Sequence, residues 1–212
     1  MRQRTTTPVA ALVAALAAVL PVLAGCDAER AEAGPVGTTR TVMTDLFTDG
    51  GLDPELEVEG EVTAACERSR LSPDNPRARR CFTTETTLVM DPCFVPEAPA
   101  PEARLDRVTT IAACLRDPAS DRVTKAYVVD DERPFTGRDA VDQWWFMELA
   151  DGTRCVKVIG VPEIREDLHL SYRCDDGFLY GIPDEAKQVW TIHHRLSGSE
   201  TPELAEIRAA WS

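Results

Sequence analysis

The chain has 212 residues, 43% hydrophobic and 28% charged, a globular composition that excludes a disordered or low-complexity chain. Its formal net charge of −13 repels polyanions, which argues against nucleic-acid partners. The surplus acid reads as a solubilising surface.

Residues 1–8 carry Arg2 and Arg4, the only charged residues before position 26. Residues 9–20, VAALVAALAAVL, form an apolar run that Pro21 interrupts. That is the pattern of a secretory signal, too short for a comfortable membrane span. The run ends in Leu23-Ala24-Gly25-Cys26. An aliphatic residue, two small ones and a cysteine at the end of an apolar run resemble the bacterial lipobox. The resemblance implies cleavage before Cys26 and a diacylglyceryl, palmitate-type anchor on its thiol. It places the protein at the cell membrane, lipid-anchored on the extracytoplasmic face. Two acyl chains hold stably where one holds marginally. Residues 27–40, DAERAEAGPVGTTR, lack an apolar period and read as a flexible tether. The expected division is signal 1–25, lipidated tether 26–55 and a disulfide-rich β domain 56–212.

Residues 41–50, TVMTDLFTDG, are weakly amphipathic and fit a short strand or a helical turn. In residues 57–66, Val58, Gly60, Val62 and Ala64 alternate, which predicts a strand bent at Gly60. SPDNPRARR, residues 72–80, is a loop. TTETTLVM, residues 83–90, is rich in β-branched residues and predicts a strand that Asp91-Pro92 ends. Residues 95–102 hold three prolines and predict an exposed loop. Strands follow at 108–115 and 123–129, then a charged loop at 130–139.

In WWFMELADGTRCVKVI, Asp151-Gly152 lies between two strand-like runs and predicts a type I′ hairpin of 145–150 with 153–159. A loop, GVPEIRED, leads to a third run, LHLSYRC. Short strands at 178–181 and 187–196 come next. The tail LAEIRAAW fits period 2 through Ala205, Ile207, Ala209 and Trp211; it also fits period 3.6, and we read it as a strand. The sum is a mainly antiparallel β fold, a small barrel or sandwich.

The chain has seven cysteines. With Cys26 assigned to lipid, Cys66, Cys81, Cys93, Cys114, Cys155 and Cys174 remain. An even number outside the membrane predicts three disulfides. A hairpin at Asp151-Gly152 followed by a strand that folds back brings Cys155 opposite Cys174. Chain order then pairs Cys66 with Cys81 and Cys93 with Cys114. No CxxC, CxxH or HxxxH spacing points to metal.

Several pieces in order, CFTTETTLVMDPCF, WWFMELADGTRC, SYRCDDGFLYGIPDEAKQVWTI and EIRAAW, resemble a cysteine-rich extracytoplasmic module of actinobacterial lipoproteins. The resemblance spans roughly residues 60 to 212 and implies location and scaffold. The module has no assigned activity. The chain departs from it at Cys114, where AACLRD stands in place of Cys-Pro.

Chemistry is sparse. His193 and His194 are adjacent on a strand and face opposite ways, one packed and one at the surface; His169 stands apart. There is no GxSxG, HExxH, Walker loop or GxGxxG. Glu148 and Asp151 flank one turn and Asp175-Asp176-Gly177 forms another. Paired carboxylates hydrolyse glycosides, although Asp-Gly pairs serve turns first. Asp130-Asp131-Glu132 lacks calcium-loop spacing. Trp144 and Trp145 face opposite ways, so one packs inside and the other is either covered by the Pro-rich loop or exposed for a sugar or protein contact. No cofactor is expected. The leading expectation is a non-enzymatic binding or interaction module with an envelope protein or glycan as partner. The alternative is a carboxylate-dependent envelope hydrolase using Glu148 and Asp175. A transporter solute-binding protein fits poorly, because two α/β lobes are not in the pattern.

Overall fold

A computed structural model describes residues 36–48, 51–98, 107–133, 144–158, 164–165 and 167–212. The signal, Cys26 and the first part of the tether lie outside these residues. The elements are all strands: β1 (Arg40–Val42), β2 (Phe47–Thr48), β3 (Gly51–Leu52), β4 (Glu57–Arg68), β5 (Ala78–Thr83), β6 (Val89–Phe94), β7 (Thr110–Cys114), β8 (Arg122–Arg133), β9 (Phe146–Leu149), β10 (Arg154–Lys157), β11 (Ile164–Arg165), β12 (Leu168–Cys174), β13 (Phe178–Asp184), β14 (Trp190–Arg195) and β15 (Glu203–Trp211).

They close into two small barrels. β4 to β8 form the first, in chain order. β9, β10 and β12 to β15 form the second, with β15 returning to β9. Strand parity fixes how each closes. In an up-and-down meander an odd number of strands leaves the first and last parallel, and an even number leaves them antiparallel. The five-stranded barrel is sealed by the parallel β4–β8 pair, and the six-stranded barrel by the antiparallel β9–β15 pair.

Barrel size explains composition. A five-stranded barrel has a narrow interior, and its core holds small side chains: Ala64, Ala112, Ala126 and the half-cystines Cys66, Cys81, Cys93 and Cys114. The wider second barrel holds Met147, Leu149, Tyr172, Leu179, Ile192 and Ile207. A third cluster joins the two. Phe94, Ile111 and Val123 of the first barrel meet Trp145 and Phe146 of the second.

The three disulfides join Cys66 to Cys81, Cys93 to Cys114 and Cys155 to Cys174, with sulfurs 2.03–2.14 Å apart. Each pair sits directly opposite across antiparallel strands. The pairing matches the one expected from the sequence.

Several local expectations change. β5 begins at Ala78, inside the loop expected at 72–80, and β8 runs to Arg133, into the loop expected at 130–139, because pairing with neighbouring strands carries both beyond their local pattern. Residues 83–90 are not one strand. β5 ends at Thr83 and β6 begins at Val89, and the intervening threonines form a turn, with Thr83 Oγ1 donating to the Leu88 carbonyl at 3.3 Å. Their β-branching suits a strand, but hydroxyl-to-backbone bonds offer the chain a turn instead. Asp91-Pro92 does not end a strand either. It is a cis peptide inside β6, at a register shift opposite Arg79 and Cys81, where a residue without N–H is tolerated. In the 95–102 loop, Val95 is buried in the barrel core.

The hairpin at Asp151-Gly152 has the expected partners in a different turn. Gly152 N–H donates to the Leu149 carbonyl, and Leu149 N–H donates to that of Thr153, both near 3 Å. Gly152 has φ +86°, and Asp151 is not in the left-handed region. This is a three-residue loop, a type I turn closed by a glycine bulge, with Asp151 Oδ1 accepting from Thr153 N–H at 2.8 Å.

The short strand expected within residues 41–50 is present, as β1 and β2, and the segment placed in the tether up to residue 55 is folded from residue 39 at least. Thr39 Oγ1 donates to the Ile207 carbonyl at 2.6 Å and accepts from Trp190 N–H at 2.8 Å. β1 runs parallel to the end of β15. Leu46 and Phe47 are buried in the inter-barrel cluster. Asn75, wholly buried, donates from Nδ2 to the carbonyls of Thr44 and Ser212 and locks this strap to the first barrel.

Candidate functional site

Where the barrels meet they leave a cleft of about 640 Å³, within the range of small-molecule sites. Its apolar wall is Leu88, Val89, Met90 and Pro92 from β6 and the turn before it. Trp145 and Val156 of the second barrel also line the cleft. Leu88 and Val89 remain 46% and 42% exposed, a water-facing apolar surface. The Trp145 indole is fully buried, packed against Phe94 and Phe146 with centroids 6.2 and 5.7 Å away.

Charged groups rim the cleft. Asp117 reaches across from the β7–β8 turn to Arg154 of β10 at 2.9 Å, and Asp175 meets the same guanidinium at 3.3 Å. Asp117 foremost, and then Asp175, hold the Arg154 guanidinium above its ordinary value. Arg122 pairs with Glu59 at 3.2 Å. Asp91 turns into the loop beneath, accepting from Ser69 Oγ at 2.5 Å and from Arg70 N–H at 3.1 Å. Burial pushes its carboxyl above the usual range, outweighing those hydrogen bonds and the nearby Arg80. Arg116 and Arg173 also line the cleft; both are exposed, and neither has an ion-pair partner among the described residues.

The residues singled out in sequence sit elsewhere or serve the scaffold. Glu148 is bound by Arg208 at 3.0 Å, and Arg208 is fixed in turn to the Ala150 carbonyl. Asp175 is the partner of Arg154. Each carboxylate therefore faces an arginine, the opposite of the apolar or like-charged setting that keeps a catalytic acid protonated. Asp176 and Gly177 belong to the β12–β13 turn, where the Asp176 carbonyl meets His194 Nε2 at 2.8 Å. His194 is buried, His193 half-buried and His169 exposed, so the pair splits between faces as the strand period requires. The side chains of Asp130, Asp131 and Glu132 lie outside the described residues.

Trp145 is the packed member of its pair. Trp144 is half-buried, lies against Trp190 with centroids 5.2 Å apart, and donates from Nε1 to Glu185 at 2.7 Å. The acid-flanked tryptophan thus exists, with its donor already engaged. Trp211 packs edge-on to Phe146. The sulfurs of Cys81, Cys93 and Cys114 lie within 4.8 Å of one another. Each is already in a disulfide and has no thiolate to offer a metal.

Arg116, Arg173 and residues 88–90 lie within stretches read as strand or scaffold, and sequence reading singled out none of them as a site. Arginine near a half-cystine does not single them out, since Arg80 precedes Cys81 and Arg154 precedes Cys155 in the same way. Set against protein-family models, curated proteins and solved structures, the chain matches none.

Proposed function

We propose that this chain is a membrane-anchored extracytoplasmic lipoprotein whose two-barrel body is a binding module, with the inter-barrel cleft as its binding site. The observation that carries the reading is that cleft: a concave surface with an apolar wall and a charged rim, built on strands cross-linked by three disulfides. Disulfide density suits a compartment outside the cytoplasm, and the lipobox-like Leu23-Ala24-Gly25-Cys26 supplies the anchor. The partner is an envelope component. Hydrolysis by Glu148 and Asp175 is disfavoured, because arginines occupy both.

Two experiments test the reading. Cys26→Ser should move the protein from the membrane to the soluble fraction, and the wild-type protein should have an intact mass lacking residues 1–25 and carrying lipid. A photo-crosslinker at position 88 in the cleft should capture a defined envelope component in cells. The same group at exposed Glu200, which does not line the cleft, should capture none of it. Equal capture from both positions, or none from either, would refute the cleft as the binding site.

A further inference from the structure

Charge in the cleft does not follow the charge of the chain. The protein is acidic overall, yet the acids at this site are spent. Glu59 is bound by Arg122, and Asp117 by Arg154. Asp91 is turned toward Ser69 and Arg70. Among the described residues, the charges left over are two guanidinium groups, Arg116 and Arg173, one from each barrel. Arg116 extends from the end of the first barrel's β7, and Arg173 from the outer face of the second barrel's β12, where it pairs in register with Val156. Leu88, Val89 and Met90 line the same cleft. A fully polar anion would leave that wall in contact with water, at about 25 cal/mol for each Å² it fails to cover. A neutral apolar ligand would forgo the arginines, the site's donors for an oxyanion.

We propose that the cleft binds an amphipathic anion: one oxyanion head, carboxylate or phosphate, held between Arg116 and Arg173, and a linear apolar chain lying along Leu88–Met90 toward Val156. The acidic body selects against polyanions, which would meet its long-range repulsion, while a single charge meets the local pair of arginines. This rests on the cleft being the binding site and names what it takes.

The test uses the exported Cys26→Ser protein, free of its own acyl chains, titrated calorimetrically with decanoate and with decyl phosphate below their micelle concentrations. Decanol and acetate serve as the headless and tailless comparisons. The expected result is saturable one-to-one binding of both anions, with decanol and acetate at least tenfold weaker. A preference between the two anions identifies a carboxylate or a phosphate as the natural head. Arg116→Ala with Arg173→Ala should weaken decanoate at least tenfold and leave decanol unchanged. Both positions are exposed, so an unchanged thermal melt is expected and certifies the fold. Leu88→Ser, which removes apolar surface without adding charge, should weaken decanoate and leave acetate unchanged. Decanol binding as tightly as decanoate, full affinity in the double arginine variant, or no binding of either anion would overturn the proposal. Capture from position 88 in cells alongside any of those results would leave the binding module standing and remove only its ligand class.

Discussion

Gly152, Gly177 and Gly198 share nearly the same backbone conformation, with φ at +86°, +87° and +85°, and differ in what a side chain would meet. At Gly152 and Gly198 a Cβ would meet nothing within 4 Å. At Gly177 it would stand 2.0 Å from the Arg195 carbonyl oxygen and 2.9 Å from the Arg195 carbonyl carbon and Leu196 Cα. Alanine in the left-handed region costs about 1–2 kcal/mol, offset by about 0.4–1 kcal/mol from a stiffer unfolded chain. Gly152→Ala and Gly198→Ala should therefore lose about 1 kcal/mol. At Gly177 the end of β14 must also retreat, and all the atoms in the way are backbone. That retreat strains the Cys174 N–H bond to the Gly177 carbonyl, 3.0 Å long, and the Phe178–Arg195 pairing, worth about 1 kcal/mol each. Gly177→Ala should lose about 3–4 kcal/mol in all. Urea unfolding with disulfides intact should place its midpoint more than about 1 M below wild type, and the two controls well within that. Equal midpoints for the three variants would refute the close approach of the β12–β13 turn to β14.

Asn75→Ala removes donors to two buried carbonyls and the acceptor for Arg77 N–H; a loss of about 2–4 kcal/mol is expected, with faster hydrogen exchange at Thr44 and Ser212. Asn75→Asp should not restore it, because a carboxylate has no N–H to offer those carbonyls. Asp91 has its carboxyl raised from 3.8 in the folded protein, so the folded state holds its proton where the unfolded state has lost it. Its contribution is fully present below 3.8 and declines as pH rises through the raised folded value. Asp91→Asn should remove that decline from a plot of unfolding free energy against pH, and an unchanged slope would assign it elsewhere. Replacing both Cys93 and Cys114 by alanine opens a cross-link of sequence separation 21 and should cost about 3 kcal/mol, measured as a shifted urea midpoint with the other two bridges intact.

The sequence was legible where a local device set register. Asp151-Gly152 forces a reversal, the return of β12 follows, and Cys155 meets Cys174. The turn type was missed because Asp-Gly suits both a two-residue loop and a type I turn with a glycine bulge; the choice depends on which residues close the ladder. The strap at 39–47 was placed in the tether, with a short strand or helical turn as its only local structure, because its bonds go to Gln188, Trp190, Ile207 and Ser212, far away in sequence, and three residues of β1 show no period. Closure into two barrels was hidden for the same reason, since a meander looks alike whether or not its ends join. The cleft was least legible. Its wall and its two arginines without an ion-pair partner among the described residues come from residues 88 to 173, and only the docking of one barrel on the other assembles them.

β15 has one further consequence, in time and not in space. Its residues close the second barrel against β9, extend the ladder from β14 and carry β1 alongside. As the polypeptide emerges from its exit channel, β4 to β8 can complete their ring from neighbours already delivered. The second ring and the strap must wait for residues 203–212. Until then β9 and β14 are open edges and β1 has no strand to pair with, and open edges invite pairing between unfinished chains. Truncation within β15 should therefore leave one barrel able to close and the other a source of aggregation, and a holding factor acting on nascent chains should be needed for the second half alone.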